Sequence, residues 1–197
     1  LLTRQIQAGN EDAALANQNR AIEISLFLTI PSAVGIAMLA EPITSTLFER
    51  GAFTPVDRAN VAAALFVFST GLPAYVLNKV LTPAFFGRHD TKTPVKASIF
   101  ALVINIVLNL ALINSLGHVG IALGTAVSSW INVGILAFIL RRRGHLKVDD
   151  RLKRRLPRTL LAALLMMGVL WAATAAVSTF LGPVFGAPGV ASGPGFA

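Results

Sequence analysis

Residues 93–143 read TPVKASIFALVINIVLNLALINSLGHVGIALGTAVSSWINVGILAFILRRR, and between Lys96 and Arg141 there is no Asp, Glu, Lys or Arg. A bilayer core takes about 20 predominantly apolar residues of helix, so the stretch is long enough for two crossings. They are placed at residues 94–113 and 119–140, with Asn114-Ser115-Leu116-Gly117-His118 as the turn of an antiparallel hairpin. Working outward, three further apolar runs reach the same length, at residues 20–40, 55–86 (apolar from Val61) and 156–181. The first continues past Glu41-Pro42 as a short amphipathic tail ending near Phe48. The expected fold class is an all-α integral membrane protein with five transmembrane helices.

Composition agrees. Of 197 residues 54% are hydrophobic and only 13% charged, about half the charge density of soluble domains, and mean hydropathy is +0.68. A net charge of +8 raises the question of nucleic acid, but long uncharged runs and no aromatic interleaving among the basic residues speak against it. The chain has no cysteine, which removes disulfides, thiolate metal sites and cysteine nucleophiles. No carboxylate pair, Ser-His-Asp set or metal-ligand spacing occurs, so the expected class is a transporter and not an enzyme. The chain opens on Leu1-Leu2-Thr3 without an initiator Met or signal-peptide pattern and is expected to be a piece of a longer polypeptide.

Helix starts support the spans. Asn10-Glu11-Asp12 offers a cap followed by acids in the first turn, so the first helix should begin well before the membrane. Thr54-Pro55-Val56-Asp57 has a capping Thr, a first-turn proline and an acid three residues past the cap. Thr93-Pro94 is expected to repeat that start.

The basic residues then give an orientation. With the N-terminus cytoplasmic, fourteen of the seventeen fall on the cytoplasmic side, nine of them between Arg141 and Arg158, against Arg50 and Arg58 outside. Such asymmetry in short loops is the positive-inside signal. Residues 141–156 are expected to be a basic cytoplasmic loop, attracted to anionic lipid headgroups, and residues 183–197 a Gly/Pro-rich, truncated periplasmic tail.

Several intramembrane features stand out. Pro31 in the first span and Gly71, Pro73 and Pro83 in the second are expected to interrupt those helices, as at transporter hinges. Lys79 is the one basic residue inside a span. It either faces a cavity and an anion or snorkels to the interface about 10 Å away. Asn105 and Asn109 lie one turn apart, with Thr125 across the hairpin at a comparable depth. Their oxygens suit a weak monovalent-cation site, while interhelical hydrogen bonding is the alternative. Gly120, Gly124 and Ser128, every fourth residue, mark a close-packing face. The last span is apolar all round and should be peripheral.

Leu47-Phe48-Glu49-Arg50-Gly51-Ala52-Phe53-Thr54 and Pro83-Ala84-Phe85-Phe86-Gly87-Arg88-His89-Asp90-Thr91-Lys92-Thr93-Pro94-Val95-Lys96 resemble the corresponding segments of the MurJ (MviN) family of bacterial lipid II flippases. The similarity covers about residues 1–182. It implies a fourteen-helix exporter-superfamily bundle of the bacterial cytoplasmic (inner) membrane, in which residues 1–19 end a preceding helix and connect on the cytoplasmic side. Residues 20–140 would supply four helices of the C-terminal lobe, and residues 157–182 a peripheral helix lining a groove for the lipid tail. The implied partners are a lipid-linked peptidoglycan precursor, membrane lipids and an N-terminal lobe of the same chain. The implied activity is flipping by alternating access, with Lys79 as the cavity cation available here and Asn105, Asn109 and Thr125 as a site for a coupling monovalent cation. A drug or polysaccharide exporter of the same superfamily, a membrane enzyme acting on polyprenyl phosphates and a non-transporting cell-wall scaffold are the competing readings.

Overall fold

A computed structural model describes residue 6 and residues 9–48, 50, 53–147 and 149–185, with side chains as far as 176. Most of the segment before residue 9, Glu49, Gly51 and Ala52 of the first loop motif, and the Gly/Pro tail beyond residue 185 lie outside the described residues. Five helices make up most of the described residues: α1 Glu11–Met38, α2 Ala40–Phe48, α3 Pro55–Phe86, α4 Lys92–Arg142 and α5 Asp150–Phe185.

Local chemistry sets most of these boundaries. The Asn10 side chain accepts the Ala13 N–H at 3.1 Å, with Glu11 and Asp12 in the first turn of α1. Thr54 and Asp57 form a reciprocal capping box at the start of α3, with Pro55 at its head, where a missing N–H costs nothing. α1 ends at Leu39 (φ −99°, ψ 11°), and α2 restarts at Ala40.

α4 contains 51 residues, which as a straight rod would reach about 76 Å, more than twice a bilayer core. It is folded back at Gly117, the one non-helical residue inside it (φ 52°, ψ −128°). That conformation is open to glycine and strained for any residue with a Cβ. The two arms, residues 92–116 and 118–142, each reach about 37 Å. α1, α3 and α5 are also long and apolar enough to cross, so with the two arms of α4 five segments have the length that the expected five crossings need.

α3 is central: it packs against α1, α2 and α4, while α5 touches α1 alone among the described helices. The core gathers where α1, α3 and the second arm of α4 meet, around Ile22, Leu81, Ala84, Phe85, Leu136 and Leu140. Large apolar side chains are exposed along both arms of α4 and along α5, among them Val107, Leu110, Phe138 and Leu165. A water-soluble fold would bury such a surface, whereas a lipid-facing one leaves it out. Glu11, Arg88, Asp90, Arg143 and His145 meet at one end of the bundle, the end to which the charge asymmetry assigns the cytoplasm. Glu41 and Arg58, 4.0 Å apart, mark the other.

Three expectations change. The prolines do not break their helices: α1 runs through Pro31 and α3 through Pro73 and Pro83. Side-chain donors reach carbonyls shortly before each one, Ser32 on Leu28 O (2.7 Å), Trp130 Nε1 on Thr70 O (3.0 Å) and Thr82 on Asn78 O (2.7 Å), though the carbonyls that the missing N–H groups leave open are those of Phe27, Ser69 and Lys79. Thr93 is not the cap of α4. The helix begins at Lys92, and the Asp90 carboxylate reaches forward to accept both the Thr93 amide (3.0 Å) and hydroxyl (2.6 Å). Finally, the basic run is not one loop through residue 156: Arg141 and Arg142 end α4, and α5 is already helical from Asp150.

Candidate functional site

Lys79 lies on α3 seven residues before its end, about 10 Å along the axis, and is exposed on the side opposite the buried Ala74, Leu81, Ala84 and Phe85. Turns above and below place Leu72, Tyr75, Val76 and Phe86 on its stripe. Among the described residues no carboxylate lies within ion-pairing distance of it. An ammonium at this depth without a counter-charge is costly in hydrocarbon, and an anionic ligand would relieve that cost.

Asn105, Asn109 and Thr125 do come together. Asn105 Nδ2 donates to Thr125 Oγ1 (3.3 Å) and to Ser128 Oγ (3.2 Å), and Asn109 Nδ2 donates to Asn105 Oδ1 (3.1 Å). Thr125 Oγ1 also donates to Ile121 O at 2.9 Å. The result is a hydrogen-bonded chain across the two arms of α4, in which the Asn105 and Thr125 oxygens are engaged by protein donors. Asn109 Oδ1 alone is buried without a partner. A Cβ on Gly124 would come within 2.3 Å of that oxygen, so the glycine makes room for it. Sequence reasoning did not include Ser128 in the set, although its fourth-residue spacing from Gly124 put it on the same face.

A second polar cluster, not anticipated as a unit, ties the cytoplasmic ends together. Arg88 pairs with Glu11 at 3.1 Å and donates to Ala84 O at 2.9 Å, while His145 Nδ1 lies 3.6 Å from the same Glu11 carboxylate. Arg143 pairs with Asp90 at 2.5 Å and stands 6.0 Å over the Phe85 ring. Asn19 donates to Lys147 O at 2.6 Å. Asp90 and His89 were legible as parts of a turn, but Glu11 and Arg88 are 77 residues apart, and no local pattern announces such a pair.

The cluster is pH-sensitive in one direction. Hydrogen bonds from the Thr93 hydroxyl, then from Arg143 and the Thr93 amide, bring the Asp90 carboxyl down to about 2 from 3.8. Burial, then the Arg88 guanidinium, holds His145 below its ordinary 6.5, against the pull of Glu11. Both shifts favour the deprotonated group in the folded state, so their stabilisation is present at neutral pH and is lost on acidification. Thermal unfolding in detergent should therefore show a melting temperature that falls as pH drops below about 6.5 and falls again from about 4 toward 2. Asp90→Asn should reduce the second fall, the Asp57 capping carboxylate, also held low by Thr54, supplying part of what remains, and a profile unchanged by that substitution would contradict this origin.

A bundle of membrane-length helices, apolar outside and joined by a buried polar hairpin, defines a polytopic membrane protein. The family model described as "Lipid II flippase MurJ" matches residues 1–190, and the chain belongs to that family. It is 44% identical over 149 residues to a probable lipid II flippase MurJ of Rickettsia prowazekii, covering 76% of this chain and 29% of the relative. It is 33% identical over 153 residues to the lipid II flippase MurJ of Burkholderia cenocepacia, covering 77% and 30%. A solved structure titled "Lipid II flippase MurJ, inward closed conformation" superposes with a TM-score of 0.63 at 23% identity, over 94% of this chain and 43% of that one, which bears on the fold. The chain thus spans about three-tenths of the length of the curated relatives it matches. Membrane-length helices and bacterial relatives of this family identify a multi-pass protein of the bacterial inner membrane.

Proposed function

We propose that this chain supplies the C-terminal part of a flippase that moves an undecaprenyl-pyrophosphate-linked peptidoglycan precursor from the inner to the outer leaflet by alternating access. Family membership across residues 1–190 carries the reading. The polar head must cross without meeting hydrocarbon, so a cationic cavity holds the pyrophosphate while the polyprenyl tail stays in lipid. Lys79, exposed and without a carboxylate partner among the described residues, is the cation this chain offers to that cavity. The cavity is completed by an N-terminal lobe, and α5, peripheral and apolar, lines the path of the tail.

The chain's own role is binding, orientation and conformational change, with no bond made or broken in the cargo. A coupling monovalent cation at Asn105, Asn109 and Thr125 belongs to the same proposal, and the unpaired Asn109 Oδ1 favours it. With no carboxylate in the set, binding there is weak. A sodium-dependent rise in melting temperature that Asn109→Ala removes supports the cation, and an ion-independent melting temperature excludes it.

The function is tested by exchange. Residues 10–185 replace the matching segment of the Burkholderia cenocepacia relative, and the chimera is expressed in cells depleted of their own flippase. Growth should be restored. Lysis despite normal membrane insertion would reject the proposal and leave a drug exporter, a polysaccharide exporter or a scaffold in its place.

A further inference from the structure

Residues 150–158, where α5 emerges from the bundle, hold a binding surface that the proposed transport does not use. Arg151, Arg154, Arg155 and Arg158 fall at i, i+3, i+4 and i+7 and so share one face of the helix. With Asp150 they line an open groove of about 480 Å³. Glu23 of α1, only 11% exposed, holds two of the four: Arg155 pairs with one of its oxygens, and Arg151 Nε lies 3.5 Å from the other. Asp150 is turned toward Lys153 Nζ at 3.2 Å. Arg154 and Arg158 have no carboxylate partner among the described residues. The groove therefore has a wall braced by α1 and two free guanidiniums, whose planar forks match phosphate oxygens in pairs.

The same stripe continues into the membrane segment. Leu161, Leu165 and Val169 follow Arg158 at +3, +7 and +11 and are 60%, 71% and 67% exposed. The cationic groove thus opens, within one helical turn, onto an apolar lane about two turns long. A soluble phosphate would use the groove alone. An amphiphile with a phosphodiester head and an acyl chain would use both.

We infer that Arg151, Arg154, Arg155 and Arg158 form a headgroup site for an anionic glycerophospholipid of the cytoplasmic leaflet, with its acyl chain along Leu161, Leu165 and Val169. Because Glu23 holds two members of the site, the bound lipid fixes α5 against α1. The headgroup contacts need only charged residues of α1 and α5, none of them assigned to the cargo's pyrophosphate.

The test uses a full-length chain carrying this segment, purified in detergent and titrated with phosphatidylglycerol or phosphatidylcholine of equal chain length, with bound lipid counted by native mass spectrometry. The double variant Arg154→Gln/Arg158→Gln should bind phosphatidylglycerol about thirtyfold more weakly with phosphatidylcholine unchanged. Arg141→Gln/Arg142→Gln, which removes the same charge from the same end of the bundle but outside the groove, should bind as the parent does. All four side chains are exposed, so melting temperatures should be unchanged. Equal loss in both double variants, no loss in either, inorganic phosphate competing as well as the lipid, or displacement by a polyprenyl pyrophosphate at lower concentration would each overturn the assignment.

Discussion

Gly120→Ala should destabilise the bundle by about 3 kcal/mol, at the upper end of what overpacking a filled interior costs. A Cβ at this position would lie 2.7 Å from Leu112 O and 2.8 Å from Leu112 Cβ, closer than carbon atoms approach. One obstacle is backbone, so no rotamer change relieves it. The two arms of α4 would have to separate, which stretches the Asn105 bonds to Thr125 and Ser128, already 3.3 and 3.2 Å long. Gly134→Ala is the control, because nothing lies within 4 Å of its added methyl. In a helix interior that change should be neutral or stabilising by up to about 1 kcal/mol. Reversible unfolding in mixed micelles would measure both. If Gly120→Ala proved as stable as Gly134→Ala, the close approach of the arms would be wrong.

Lys79→Gln should leave expression and melting temperature unchanged, because the side chain is exposed and has no carboxylate partner among the described residues. Translocation should nevertheless fall about tenfold or more, the effect of losing one charge-assisted hydrogen bond of about 1.5–3 kcal/mol to a phosphate. Lys79→Arg keeps the charge and should keep most of the rate. A full rate in Lys79→Gln would mean that the ammonium only snorkels to the headgroups, about 10 Å away along α3.

What the sequence conveyed depended on the range of the interaction. The hairpin was legible because the glycine needed for its turn lies inside five residues, four of them polar or small, between two apolar runs, and the fold-back is at Gly117 itself. The Thr54 capping box is equally local. Thr93-Pro94 has the same outline and misled, because a carboxylate three residues earlier, on Asp90, took over the capping. Charge-rich residues 150–156 looked like loop to a reading based on hydropathy. Their spacing of three and four was the helical signal that the reading passed over.

The prolines were read as breaks because a missing N–H is visible in sequence, while the packing that carries the helix through one is distant: Trp130, which donates to Thr70 O just before Pro73, lies sixty residues away. The same distance hid the Glu11, Arg88 and His145 cluster. Of the candidate site, the meeting of Asn105 with Thr125 followed from the hairpin, but which oxygens remain free depended on side-chain geometry that spacing does not encode.

The most direct test of the account follows the cargo. In cells depleted of their own flippase and expressing a full-length chain that carries this segment, the fraction of lipid-linked precursor accessible at the outer leaflet would be measured with a membrane-impermeant enzyme that cleaves it. The account predicts that precursor reaches the outer leaflet as it does in undepleted cells. Accumulation at the inner leaflet equal to that of cells carrying no transporter, with the chain inserted and folded, would contradict it.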